Sequence, residues 1–184
     1  RKVDRVYLGN RRNADSGDNL LLNGDFEDWD ADQLTPGSQN NWTLAGLGAT
    51  FNKEAETSNP ENYMVLHGNN SGRLHVPANT TVTLLQTFTP ASTSYTTLPT
   101  EGQEVNLSAW VYSNISGRLK LYIGGEVGSY HGGTGWELMK ASETLAFNAT
   151  TAVVGLSTTT PGSSAAMAVY IDEIWMTLGQ SEMT

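Results

Sequence analysis

The sequence predicts an all-β protein, a two-sheet antiparallel jelly-roll β-sandwich preceded by an extended N-terminal arm. Short apolar or β-branched runs alternate with turns rich in Gly, Asn, Ser and Thr, while helix formers are sparse. Two segments, 105–112 and 118–123, alternate between apolar and other residues, as strands with one buried face do. Residues 1–18 are interpreted as a basic arm with a hinge, and residues 19–184 as the jelly roll.

The predicted strands follow one another from residue 19 onward. The first is the apolar run Leu20–Leu22, which turns at Asn23-Gly24 and resumes at Phe26. Residues 63–67 and 72–76 are expected to pair as a hairpin. The remaining strands are predicted at 42–44, at 81–88, at 105–112 and 118–123, and from Trp136, Leu145, Val153 and Val169 onward. About eight to ten strands suit two antiparallel sheets packed face to face.

The two alternating segments separate a core face from an outer face. The apolar positions are expected in the core: Val105, Leu107, Ala109, Val111, Leu119, Leu121 and Ile123. The positions between them carry polar and aromatic side chains: Asn106, Ser108, Trp110, Tyr112, Arg118, Lys120 and Tyr122. Because successive side chains point to opposite faces of a strand, Trp110, Tyr112 and Tyr122 are predicted to form one exposed aromatic face.

This aromatic face suits a glycan. Aromatic rings stack on the apolar faces of sugar rings, while amides and charged groups bond the sugar hydroxyls. The predicted ligand-binding residues are Trp110, Tyr112, Tyr122, Asn106, Arg118 and Lys120. Tyr130 and His131, in a glycine-rich loop, are expected at the rim of such a site. The alternative is that a loop or a neighbouring subunit covers Trp110 and Tyr112.

Two motifs at opposite ends of the chain resemble a known family. The opening motif is NLLLNGDFEDWD, from Asn19 to Asp30, and the closing motif is YIDEIW, from Tyr170 to Trp175. Together they resemble the first and last strands of the galactose-binding-like jelly rolls, in particular the carbohydrate-binding modules of families 4, 9 and 22. The resemblance covers residues 19–178 and implies a non-catalytic module that binds polysaccharide or cell-surface glycan. It also implies that Trp42 and Trp136 pack internally.

The resemblance further implies a structural Ca²⁺ that joins the first strand to the last. Its ligands would be the side chains of Glu27 and Asp172 and the carbonyl of Asp25. Two carboxylates brought together without a cation would repel each other, so the ion has a physical purpose. The alternative is that both acids lie on the surface and never meet. A competing acidic run, 28–32, starts like an EF-hand loop but lacks its later Gly and Glu.

Charge is distributed unevenly along the chain, whose net charge is −9. Residues 1–12 carry a single acid against five basic residues, namely Arg1, Lys2, Arg5, Arg11 and Arg12. A basic arm on an acidic body predicts an attachment segment for neighbouring acidic protein subunits, in a homo-oligomer or a larger assembly. A plain linker is the alternative. The sequence starts without Met or a signal peptide, which indicates a processed chain or a piece of a longer one.

Several function classes find no support in the sequence. The chain has no cysteine, which excludes thiolate nucleophiles and thiolate metal sites. It has neither a nucleophile elbow nor a zinc-protease motif nor a phosphate loop, so no enzyme is expected. No apolar stretch reaches the roughly 18 residues of a membrane span, and neither membrane insertion nor a nucleic-acid partner is expected.

Two hypotheses therefore remain. The first is a glycan-binding or adhesion module displayed on a surface or on a larger assembly. The second is a virion structural protein, as a capsid decoration or a tail-associated protein, because modules with this opening motif also occur in phage tail and virion surface proteins. In that case the jelly roll and the basic arm would mainly contact protein. Either hypothesis places the chain outside the cell or on a virion surface.

Overall fold

The computed structural model describes residues 19–29, 42–55, 64–88, 104–146, 151–158 and 165–179. These residues form ten β-strands. The strands are β1 (Thr43–Ala45), β2 (Thr50–Ala55), β3 (Asn70–Val76), β4 (Val82–Phe88), β5 (Glu104–Ser113), β6 (Leu119–Ile123), β7 (Glu126–Val127), β8 (Gly135–Thr144), β9 (Ala152–Thr158) and β10 (Met167–Leu178). Within the described ranges no helix is long and apolar enough to cross a membrane. The basic arm and the hinge lie outside these ranges.

The strands form two five-stranded antiparallel sheets. Sheet A has the order β1-β4-β9-β6-β7, and sheet B has the order β2-β3-β10-β5-β8. Every paired neighbour is antiparallel. The predicted two-sheet β-sandwich is therefore confirmed.

The core lies between the two sheets and is apolar. All seven apolar positions of the alternating segments are buried, none more than 3% exposed. Trp42 is also buried, as predicted, and its ring lies 5.5 Å from that of Phe26. Alternation therefore predicted correctly which side of β5 and of β6 meets the core.

The opening motif packs against β10, as predicted, but it is not a strand. Leu20 N–H donates to Met176 O at 3.0 Å, and Ile174 N–H donates to Gly24 O at 2.7 Å. Residues 21–25 nevertheless form a turn, since Asn23 and Phe26 have φ angles of 46° and 52°. No strand is formed at residues 19–29, so the predicted strand Leu20–Leu22 is wrong.

β10 contains a bulge that resets its alternation. Its pairing with β5 shifts between Asp172 and Ile174, where the extra residue Glu173 has a φ of 55°. Ile171 and Ile174 both face the core as a result, whereas strict alternation would turn Ile174 outward. The bulge thereby also turns Trp175 to the outer face of sheet B.

Two other strand predictions are wrong. Residues 64–67 form no strand, and β3 pairs with β2 instead, from Thr50 opposite His75 to Ala55 opposite Asn70. β8 ends at Thr144, and among the described residues no strand begins at Leu145. The β2 sequence, TFNKEA, has too few apolar residues to signal a strand on its own.

Candidate functional site

The outer face of sheet B, which points away from the core, is the candidate site. Three rows of side chains cross β10, β5 and β8 on this face. The rows are Tyr170 with Tyr112 and Trp136, then Asp172 with Trp110 and Leu138, then Trp175 with Ser108 and Lys140. We call them the tyrosine row, the aspartate row and the tryptophan row.

The tyrosine row is an aromatic cluster. The Tyr112 ring lies 5.8 Å from the Trp136 ring and 6.0 Å from the Tyr170 ring, both in edge-on geometry. A groove of about 320 Å³ lies beside Tyr112 and Tyr170. Trp136 is half-buried here, so the prediction that it packs in the core is wrong. It stands opposite Tyr112, and cross-strand partners share a face.

The tryptophan row borders a second groove, of about 400 Å³. Its ring is Trp175, which is 43% exposed. The polar lining consists of Asn106, Ser108, Lys140, Ser142 and Thr177. Sequence reasoning missed Trp175 and Lys140. Trp175 reaches this face only because of the bulge at Glu173, and no sequence signal marks that bulge.

The loop of residues 64–70 covers the aspartate row. Asp172 Oδ2 accepts the backbone N–H groups of Leu66 and His67, each at 2.8 Å. Ser71 Oγ donates to Met64 O at 2.6 Å. The His67 ring stands 6.3 Å from that of Trp110, which is half-buried. The loop therefore divides the face into the two grooves, and it partly covers Trp110 as one sequence alternative proposed.

The other end of this loop is held by the opening motif. Glu27 Oε1 accepts the N–H groups of Asn69 at 2.7 Å and of Asn70 at 3.0 Å. The Asn70 side chain donates to Glu27 Oε2 at 3.0 Å. The two acids of the family motifs thus hold the two ends of one loop.

The two oxygens of the buried Asp172 carboxylate differ in hydrogen bonding. It is fully buried, and its Oδ1 atom has no hydrogen-bond partner in the described part of the chain. Burial raises the pKa of Asp172 from 3.8 to about 6, against the opposing effect of the His67 and Leu66 N–H donors. His67 Nδ1 lies 3.2 Å from Glu173 Oε2, without hydrogen-bond geometry.

The surroundings of these acids do not fit a calcium ion held between them. Three of the four carboxylate oxygens of Glu27 and Asp172 accept N–H hydrogen bonds, and N–H donors repel a cation. The described residues contain no group of three or more His, Asp or Glu side chains placed to hold a metal. The Ca²⁺ assignment, including the Asp25 carbonyl, stays a prediction to be tested by chelation.

The structure separates the predicted ligand-binding residues. Trp110, Tyr112 and Asn106 lie on the outer face of sheet B. Lys120 and Tyr122 lie on β6, and Arg118 directly precedes it, in sheet A. The prediction that Tyr122 shares a face with Trp110 and Tyr112 is therefore wrong. Alternation shows which side of a strand meets the core, but it does not show to which sheet the strand belongs.

His131 is a structural residue rather than part of a site rim. It is fully buried, and its ring Nε2 lies 3.0 Å from Val111 O. Its Nδ1 accepts the N–H of Gly133 at 2.9 Å, which leaves Nε2 as the donor to Val111 O. Tyr130 is 46% exposed and has Lys120 Nζ 4.5 Å above its ring, on the side of sheet A.

Comparisons with known proteins find the fold among carbohydrate-binding modules. No protein-family model and no curated protein matches the chain. The CBM22-1 xylan-binding domain of Paenibacillus barcinonensis Xyn10C has a TM-score of 0.59 and 16% identity, covering 90% of this chain and 97% of that one. TmCBM61, solved in complex with β-1,4-galactotriose, has a TM-score of 0.51 and 17% identity, covering 86% and 97%.

A third match is to part of a larger protein. Arabinose-bound MgGH51 α-L-arabinofuranosidase matches with a TM-score of 0.56 and 13% identity, over 90% of this chain but 27% of that one. The chain thus has the jelly-roll fold of the carbohydrate-binding modules, as the opening and closing motifs implied. At these identities the similarity shows the fold alone, so the ligand has to be inferred from the residues of the site.

Proposed function

We propose that the protein is a non-catalytic glycan-binding module whose binding surface is the outer face of sheet B. One observation carries the proposal: on this face, one groove combines the exposed Trp175 ring with five polar side chains, and the other is lined by the Tyr112 and Tyr170 rings with Asn114. Sugar rings present an apolar face and a hydroxyl-bearing edge, so such a groove offers partners for both.

The rings of this face are held in place before any ligand arrives. Tyr112 is packed edge-on between Trp136 and Tyr170, and each of the three side chains is half-buried in a continuous β-ladder. A ring fixed in this way loses little conformational entropy on binding. Two of the proteins with this fold are named as xylan-binding or as bound to galactotriose, which supports glycan as the ligand class.

The partner and location follow from this proposal. Polysaccharide or cell-surface glycan is the partner, and display outside the cell is the corresponding location. The virion alternative depended on the opening motif and on the basic arm, and the arm lies outside the described residues.

Affinity electrophoresis through gels containing xylan or β-1,4-galactan tests the proposal. We expect at least one polymer to retard the protein, and we expect Tyr112→Ala to remove most of the retardation. Tyr122→Ala is the matched control, because this tyrosine is half-buried on the outer face of the opposite sheet. Equal loss in both variants, or no retardation by either polymer, would contradict the proposal.

A further inference from the structure

We propose that Trp175 and Lys140 form a second sugar subsite, separate from the tyrosine row, and that the ligand is an oligosaccharide long enough to fill both. This inference rests on the proposed glycan-binding function and deepens it. It assigns a role to the tryptophan-row groove, for which the sequence predicted none.

The first support is the exposure of Trp175. At 43%, it is the most exposed of the five tryptophans, all of which lie within the described residues. Trp136 and Trp110 are half-buried, and Trp42 is in the core. Tryptophan is enriched among binding hot spots, and this ring is the one that a ligand on the sheet face can reach most easily.

The second support is the chemistry around that ring. The groove supplies an ammonium group from Lys140, an amide from Asn106 and hydroxyls from Ser108, Ser142 and Thr177. These groups include both donors and acceptors, and sugar hydroxyls need both. Lys140 lies in the row of Trp175, opposite Ser108, so its ammonium group belongs to the same groove as the ring. The groove thus has one stacking surface and a polar lining, as a pyranose requires.

The third support is the separation of the two grooves. Tyr112 and Ser108 mark the tyrosine and tryptophan rows on β5 and are four residues apart, which is roughly 13 Å along a strand. Between them stands the aspartate row, where Leu66 and His67 are hydrogen-bonded to Asp172. One sugar ring cannot span that distance, so a ligand that uses both aromatic surfaces must be a chain that passes the loop.

Isothermal titration calorimetry against oligosaccharides of increasing length tests whether the two grooves are separate subsites for one ligand. The probes are xylo-oligosaccharides or β-1,4-galacto-oligosaccharides of two to six units, matching the polymer that retards the protein. We expect the affinity of the unaltered protein to rise with length until both grooves are filled. Trp175→Ala should lower the affinity for the longest probe by about 10-fold or more, because a stacked tryptophan is a typical hot spot. It should change the affinity for the disaccharide by less than about 2-fold.

A second variant and a control complete the experiment. Lys140→Ala removes a different lining group and should show the same dependence on length. Tyr130→Ala removes a ring of similar exposure, 46%, on the side of sheet A and should change no affinity. If Trp175→Ala has no effect, or an equal effect at every length, the second subsite is wrong. The proposed function then still stands if Tyr112→Ala abolishes binding, whereas both ideas fall if the unaltered protein binds neither series.

Discussion

Asp172 accepts the backbone N–H of His67 at 2.8 Å, across 105 residues of sequence. The bond joins the closing strand to the loop that divides the candidate site. The same oxygen also accepts the N–H of Leu66, so one buried carboxylate fixes two consecutive loop residues. A residue of the sheet therefore holds in place the loop that separates the two grooves.

The buried carboxylate makes stability depend on pH. The folded-state pKa of Asp172 is raised from 3.8 to about 6, so the folded state binds this proton more tightly than the unfolded state does. Above pH 6 Asp172 is ionised in the folded state, and burying that charge lowers the free energy of unfolding. This destabilisation decreases as the pH drops from 7 towards 4, because the carboxyl group takes up its proton. We expect Asp172 to make the protein more stable at pH 5 than at pH 7, by on the order of 1–2 kcal/mol.

Asp172→Asn isolates this effect from other titrating groups. The amide keeps an oxygen that accepts the Leu66 and His67 N–H groups but carries no titrating proton. Denaturant unfolding at pH 5 and pH 7 gives the free energies of unfolding of both proteins. The unaltered protein should gain stability relative to the variant as the pH falls. A difference between the two proteins that stays constant with pH would contradict the raised pKa.

Glu27 anchors the other end of the same loop. Its carboxylate accepts three N–H hydrogen bonds from Asn69 and Asn70. We expect Glu27→Ala to lower the free energy of unfolding by about 1–3 kcal/mol, since hydrogen bonds to a charged group exceed neutral ones in strength. Glu143→Ala removes the same charge from an exposed position and is the control. Equal melting curves for the two variants would show that Glu27 is not an anchor.

The hydrogen bonds of Glu27 and Asp172 also bear on whether the protein needs Ca²⁺ for stability. Because N–H groups satisfy three of the four oxygens of Glu27 and Asp172, we expect excess EDTA to leave the melting temperature unchanged. A ligand that binds only the folded state stabilises it, and its removal destabilises it. A fall in melting temperature with EDTA that added calcium reverses would instead support the Ca²⁺ ion that the opening and closing motifs implied.

The sequence predicted the side chains of the core better than those of the site. In β5 and β6 the period of two places Leu107 and Leu121 inward, because burying an apolar face decides the register. The same period cannot show that Tyr122 belongs to the opposite sheet, since strand order depends on contacts between distant residues. It also fails beyond Asp172, where one bulged residue reverses the alternation and brings out Trp175.

The opening motif also has a structure that the sequence predicted only in part. Its contact with β10 was predicted, through resemblance to related modules, but its backbone conformation was not. Asn19 Oδ1 accepts the N–H of Met176 at 3.0 Å. In a regular strand pair a backbone carbonyl would accept this hydrogen bond. The apolar run alone could not predict this turn, because the hydrogen bonds that hold it come from residues about 155 positions away in sequence.

Gly24 is the position where the opening motif depends most on the absence of a side chain. A Cβ atom at residue 24 would lie 2.3 Å from Ile174 O and 2.6 Å from Asn19 Nδ2. Gly24→Ala must therefore displace the segment from β10, and we expect it to lower the free energy of unfolding by about 2 kcal/mol or more. Thermal unfolding measures the loss. Gly125→Ala is the matched control, because a Cβ there meets no atom within 4 Å. The contact would prove unimportant if both variants melted at the temperature of the unaltered protein.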